Sequence, residues 1–75
     1  MLNSNITSDK LKQRNLKLNL CFLHYSKSRE LKENNDNKYT DFYKQYLKLK
    51  NKVMKEFNMS EPEFIQEIKK IDKES

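Results

Sequence analysis

Glycine is absent from all 75 residues, alanine and tryptophan are absent too, and proline occurs once, as Pro62. Glycine supplies positive-φ turns and close backbone approach to ligands, so tight two-residue hairpins lose their usual residue. Neither the P-loop nor the dinucleotide fingerprint can be written without it. The chain is therefore pushed towards helices joined by Asn-containing turns. Cysteine is nearly missing as well: Cys21 stands alone, so no disulfide can form within one chain. A single thiol fits a reducing, intracellular setting, here the cytoplasm, where it behaves as a small hydrophobe. A Cys21–Cys21 bridge between two copies is the less favoured reading. Long apolar runs are missing too. Residues 16–25 are the most apolar stretch, yet Lys17, Asn19 and His24 interrupt it, and it falls far short of the ~20 residues that span a bilayer. The polar segment 1–9 has no apolar core of signal-peptide length. No membrane partner is expected.

Positive charge is present in excess, with 16 Lys and Arg against 11 Asp and Glu, a net charge of +5, and a pI near 9.4. That balance invites a nucleic-acid reading. The cations, however, are almost all lysine, with arginine only at Arg14 and Arg29. Lys and Asn are spelled by AT-rich codons, whereas Gly, Ala, Pro and most Arg codons are GC-rich, so part of the charge records base composition. A reader of DNA sequence draws on arginine for guanine edges and phosphates. The charge is also uneven. Residues 1–59 carry 13 Lys and Arg against 6 Asp and Glu, while residues 60–75 carry 3 against 5. A basic body and an acidic C-terminal segment attract one another, within one chain or between copies.

A chain of this length makes one small domain, which buries only roughly 60% of its unfolded surface. Residues 1–8 read as a flexible tail and residues 9–75 as the domain. Thr7 or Ser8 can cap a helix that starts at Asp9 and stops at Asn34-Asn35-Asp36-Asn37, a tract that tolerates αL. Thr40 and Asp41 open a second helix, to about Phe57, with Asn58 as the stand-in for a C-capping glycine. Ser60 with Glu63 forms a capping box, and Met59 with Phe64 a hydrophobic staple, for a third helix over about 61–72. Pro62 fits its first turn.

Helical periodicity is clear in the second helix. Phe42, Tyr46, Leu49, Val53 and Phe57 form one stripe, which Tyr39, Tyr43, Leu47 and Met54 widen to an arc of roughly 160°, more than one neighbour needs. Phe64, Ile65, Ile68 and Ile71 share a face of the third helix. The first helix is apolar on two sides: Leu16, Leu20, Leu23 and Leu31 on one, Leu11, Leu18, Phe22 and Tyr25 on the other. Residues 16–22 also alternate strictly, as a strand does. A strand needs a partner, which no other segment offers without a hairpin turn, so the helix is preferred.

Candidate chemistry is sparse. Cys21 and His24 lie three apart, but no second Cys or His completes a tetrahedral metal site. As a nucleophile pair they lack an orienting group and an oxyanion hole. Glu30/Glu33 and Glu63/Glu67 sit at ordinary surface spacing and suit ion pairs with lysines. No catalytic residue, cofactor, metal or small-molecule substrate is expected. Lys44, Lys48, Lys52 and Lys55 fall on one helical face and could follow a phosphate backbone, or be a solvated face. Four tyrosines, Tyr25, Tyr39, Tyr43 and Tyr46, suit half-buried packing or a partner surface.

The segment Val53-Met54-x-x-Phe57-Asn58-Met59-Ser60-x-Pro62 resembles the centre of a helix-turn-helix, with an aliphatic helix end, an asparagine turn and a serine cap. The resemblance implies a recognition helix from Glu61 onwards. That helix departs from the pattern where it matters, since Glu61, Glu63 and Glu67 would face phosphate with the wrong sign.

These readings converge on an all-α fold, a long helical hairpin (about 9–33 and 40–57) closed by a short third helix, oligomeric or partner-bound. The function expected is a non-enzymatic regulator, inhibitor or accessory subunit. Its contact face for a protein partner or a second copy is Leu18, Phe22, Tyr25, Tyr43, Leu47 and Met54. The alternative is a basic nucleic-acid-binding protein, helix-turn-helix-like or using Lys44, Lys48, Lys52 and Lys55 along the backbone, as a dimer.

Overall fold

A computed structural model describes the backbone of residues 2–74 and the side chains of residues 9–74. Three helices account for nearly all of it: α1 (Leu2–Glu33), α2 (Tyr39–Glu56) and α3 (Glu61–Glu74). The fold is all-α, a helical hairpin with a third helix packed on it. Residues 16–22 are helical, and no strand occurs among the described residues. The start of α1 corrects the sequence reading. Backbone hydrogen bonding runs unbroken through Thr7 and Ser8, so the helix begins at Leu2 and not at Asp9. No Pro or Gly interrupts residues 2–8, and Asn, Ser and Thr, though weak helix formers, are tolerated inside a helix. Of the tail expected over residues 1–8, residues 2–8 are helical backbone within α1, while Met1 and the side chains of residues 1–8 lie outside the described residues.

Both turns end their helices in the same way. Asn35 (φ 58°) and Asn58 (φ 51°) take up the left-handed conformation that glycine usually supplies. After each, the chain folds back onto the helix it leaves: Asp36 N donates to the Leu31 carbonyl at 2.8 Å, and Met59 N to the Met54 carbonyl at 2.9 Å. These are Schellman closures, which satisfy carbonyls that a helix end otherwise leaves open.

The start of α2 differs in detail from expectation. It opens one residue before Thr40, with Lys38 at the cap position and no side-chain cap. The Thr40 hydroxyl donates backwards to the Asn37 carbonyl at 3.0 Å, and an Asx turn from Asp36 to Lys38 N, 3.0 Å, leads into the helix. The capping box of α3 is complete. Glu63 N donates to Ser60 Oγ and Ser60 N to Glu63 Oε1, each at 3.3 Å.

Tyr46 is the hub of the core. Its ring lies 5.2 Å from Tyr25 on α1 and 6.3 Å from Phe64 on α3. Around it are buried Leu18, Cys21, Val53, Met59 and Ile68, with both residues of the expected staple, Met59 and Phe64, in this one cluster. Phe64, Leu18 and Val53 are almost wholly enclosed, each worth about 1.5–3 kcal/mol of burial. Polar contacts fix the hairpin at both ends. Ser28, buried, donates to the Tyr39 carbonyl at 3.0 Å, and Lys17 reaches Glu56 at 2.6 Å. The acidic α3 is tied to the basic hairpin within one chain, through Arg14–Glu67 (3.2 Å) and Lys50–Glu61 (2.8 Å).

Candidate protein-binding face

The six residues expected to form a contact face divide in two. Leu18 is 1% exposed and belongs to the core. Met54 is half-buried and packed against that core. The other four meet. Phe22 and Tyr25 from α1 and Tyr43 and Leu47 from α2 line one trough, about 390 Å³ in volume, with Ile65 and Ile68 of α3 along its far wall. Tyr43 and Leu47 are 44% and 38% exposed, so the trough opens to solvent. The excess arc of α2 explains it: Val53 and Tyr46 point inwards, and one edge of the arc is left without a neighbour.

A second hollow of about 430 Å³ continues the trough past Tyr25 and Tyr43 to Tyr39 and Lys32. Cations stand over rings along it. The Arg29 guanidinium lies 5.8 Å from the centre of the Tyr25 ring, and Lys32 Nζ 5.8 Å from that of Tyr39. Desolvation by burial, followed by the neighbouring Tyr43, Cys21, Tyr25 and Glu61, raises the Tyr46 hydroxyl above its ordinary pKa. It stays protonated at neutral pH.

On α1 the two stripes differ in burial along the hairpin, although Leu11 at the start of the inward stripe is 44% exposed. Leu18, Phe22 and Tyr25 face inwards, whereas Leu16, Leu20 and Leu23 are 70%, 43% and 61% exposed. Both stripes exist, and nothing in the sequence says which one α2 covers.

Lys44, Lys48, Lys52 and Lys55 are all exposed on α2. None of the ion pairs among the described residues involves them. Cys21 and His24 do not converge on a common ligand position. The thiol is buried and pushed up to about 11 by desolvation, which removes it as a thiolate nucleophile or ligand at neutral pH. His24 Nδ1 lies 3.0 Å from the Leu20 carbonyl, and its ring 6.1 Å from that of Phe42. Among the described residues no group of three His, Cys, Asp or Glu could hold a metal ion, and no helix is long and apolar enough to cross a membrane. In the segment that resembles a helix-turn-helix, Phe64 and Ile68 of α3 are buried against the hairpin, and Glu61 and Glu67 face its cations.

No protein-family model, curated protein or solved structure matches this chain.

Proposed function

We propose that the protein is a non-enzymatic helical interaction module, a small regulator, inhibitor or accessory subunit. It engages a protein partner through the trough between α1, α2 and α3. The observation that carries this reading is the convergence of Phe22, Tyr25, Tyr43 and Leu47 on one solvent-open hollow. Tyrosine with clustered aliphatics is the composition of interface centres, where rings are covered while hydroxyls stay wet. A chain this small gains stability by covering such a surface. The single buried thiol, Cys21, suits a reducing, intracellular compartment.

Site-specific photo-crosslinking in the native host tests it. A benzophenone side chain at Leu47 is expected to give a discrete protein adduct, whereas the same group at Lys52, on the opposite side of α2, gives none. Equal labelling from both positions, or none from either, counts against the reading.

The lysine row supports a second reading, sequence-independent nucleic-acid binding, because its four exposed ammonium groups are outside every ion pair among the described residues. Four phosphate contacts predict a log–log salt slope of about −3 to −4 on duplex DNA. That slope should collapse when Lys44, Lys48, Lys52 and Lys55 become Glu. A salt-independent or undetectable association removes this reading.

A further inference from the structure

We propose that the trough and its continuation receive an amphipathic helix of about three turns whose flanks are acidic. The proposal rests on the protein-partner reading above and adds the chemistry of the partner. Length comes first. The hollow follows α2 from Tyr39 to Lys50, about 17 Å at 1.5 Å per residue, which matches three turns of a docked helix. Its floor is apolar, built from Phe22, Tyr46, Leu47 and Ile65, and suits side-chain anchors at i, i+4 and i+7.

Its rim is basic. Arg29 and Lys32 stand on the α1 side and Lys69 on the α3 side, against the one carboxylate of Asp72. Lys50 also lies on the rim but is engaged by Glu61 at 2.8 Å. Glu30 and Glu33 line a smaller depression that adjoins the trough and shares Phe22, Tyr25, Arg29 and Asp72 with it, and Glu30 there faces Lys27 at 3.8 Å. The trough therefore carries a positive excess that an acidic flank complements and a basic one does not.

The same cations argue against a nucleic acid in this place. Bases bind single-stranded sites by stacking on open aromatic faces. Arg29 already covers the Tyr25 ring and Lys32 the Tyr39 ring, each at 5.8 Å. On the floor the ring of Tyr46 is buried, and Leu47 and Ile65 offer bases no face to stack on.

The test uses isotope-labelled full chain and three probes of roughly equal length, about 15 units, the span of three to four turns. One is a peptide with leucines at i, i+4 and i+7 flanked by Glu, the second has Lys in place of every Glu, and the third is oligo(dT). NMR shift mapping should place the Glu peptide at Tyr43 and Leu47, with binding at least about tenfold tighter than for the Lys peptide. The double variant K32E/K69E should reverse that order. K32Q/K69Q should abolish the preference without reversing it, which separates charge from any loss of fold. The Lys peptide binding as tightly at Tyr43 and Leu47 overturns the acidic preference while leaving the protein-partner reading standing. Oligo(dT) binding tighter than the Glu peptide at those residues overturns the proposal. So does binding of neither peptide, or shifts confined to the Leu16/Leu20/Leu23 stripe or the lysine row. Absence of a Leu47 crosslink is what removes the underlying reading.

Discussion

Leu16 and Leu18 stand two residues apart on α1 and at opposite ends of the exposure range, 70% and 1%. A step of two residues turns a helix by about 200°, so one leucine packs under α2 and α3 while the other faces water. Leu18→Ala is expected to cost about 2–5 kcal/mol, a large share of the stability of so small a domain. Leu16→Ala should change it by no more than about 0.5 kcal/mol. Urea unfolding followed by circular dichroism checks both. Comparable losses at the two sites would mean that α1 presents its other stripe to the hairpin.

Asn58 carries the turn that aligns α3, at φ 51° and without a glycine. Asn58→Gly should hold or raise stability, because the left-handed conformation costs a glycine nothing. Asn58→Ala should lower it by about 1–2 kcal/mol, the cost of placing a Cβ there. The pair of variants measures the conformation and not the side chain, since both remove the amide. If alanine is tolerated as well as glycine, the turn adopts another shape.

How much of this was legible beforehand follows from the range of the forces involved. The Ser60–Glu63 box, the Asn58 turn and the loop at Asn34–Asn37 are local, and their residue types fixed them. The arc of α2 was legible as too wide, and its surplus edge does carry Tyr43 and Leu47. The choice between the stripes of α1 was not legible, because it depends on which face the distant Phe64 and Tyr46 cover. The stripe pattern alone therefore assigns Leu18 to a contact face, whereas it is core. The rim of the trough was likewise invisible, because Arg29, Lys32 and Lys69 come together only when α3 folds back.

Ser60 and Glu63 make a reciprocal pair at the start of α3. Ser60→Ala should cost about 1 kcal/mol, within the usual range of about 0.5–2 for a lost N-cap. Combining it with Glu63→Ala should cost less than the sum of the two single changes, because either one disables the box. Chemical denaturation of the four members of this cycle reads the coupling directly. Strict additivity would show that the two bonds act independently.

Stability should decline on the alkaline side from about pH 9. Burial pushes the Cys21 thiol from its ordinary 9.0 up to about 11, and burial also raises the Tyr46 hydroxyl above 10.0. Both groups are acids whose folded-state pKa is raised, so above pH 9 the unfolded chain releases protons that the folded chain still holds. Stability therefore falls with rising pH, from about pH 9 until the folded thiol itself ionises near 11. On the acid side the sign is opposite. A hydrogen bond from Lys50 lowers the Glu61 pKa from 4.5, so its contribution is present above that value and is lost as pH falls through the folded pKa. Glu61 is exposed, which keeps that contribution small. Urea midpoints at about pH 7, 9.5 and 10.5 should fall progressively in the unaltered chain. Cys21→Val, similar in volume but without a proton to lose, should fall less steeply over the same interval. Parallel slopes would assign the alkaline loss to Tyr46 and the lysine pairs, not to the buried thiol.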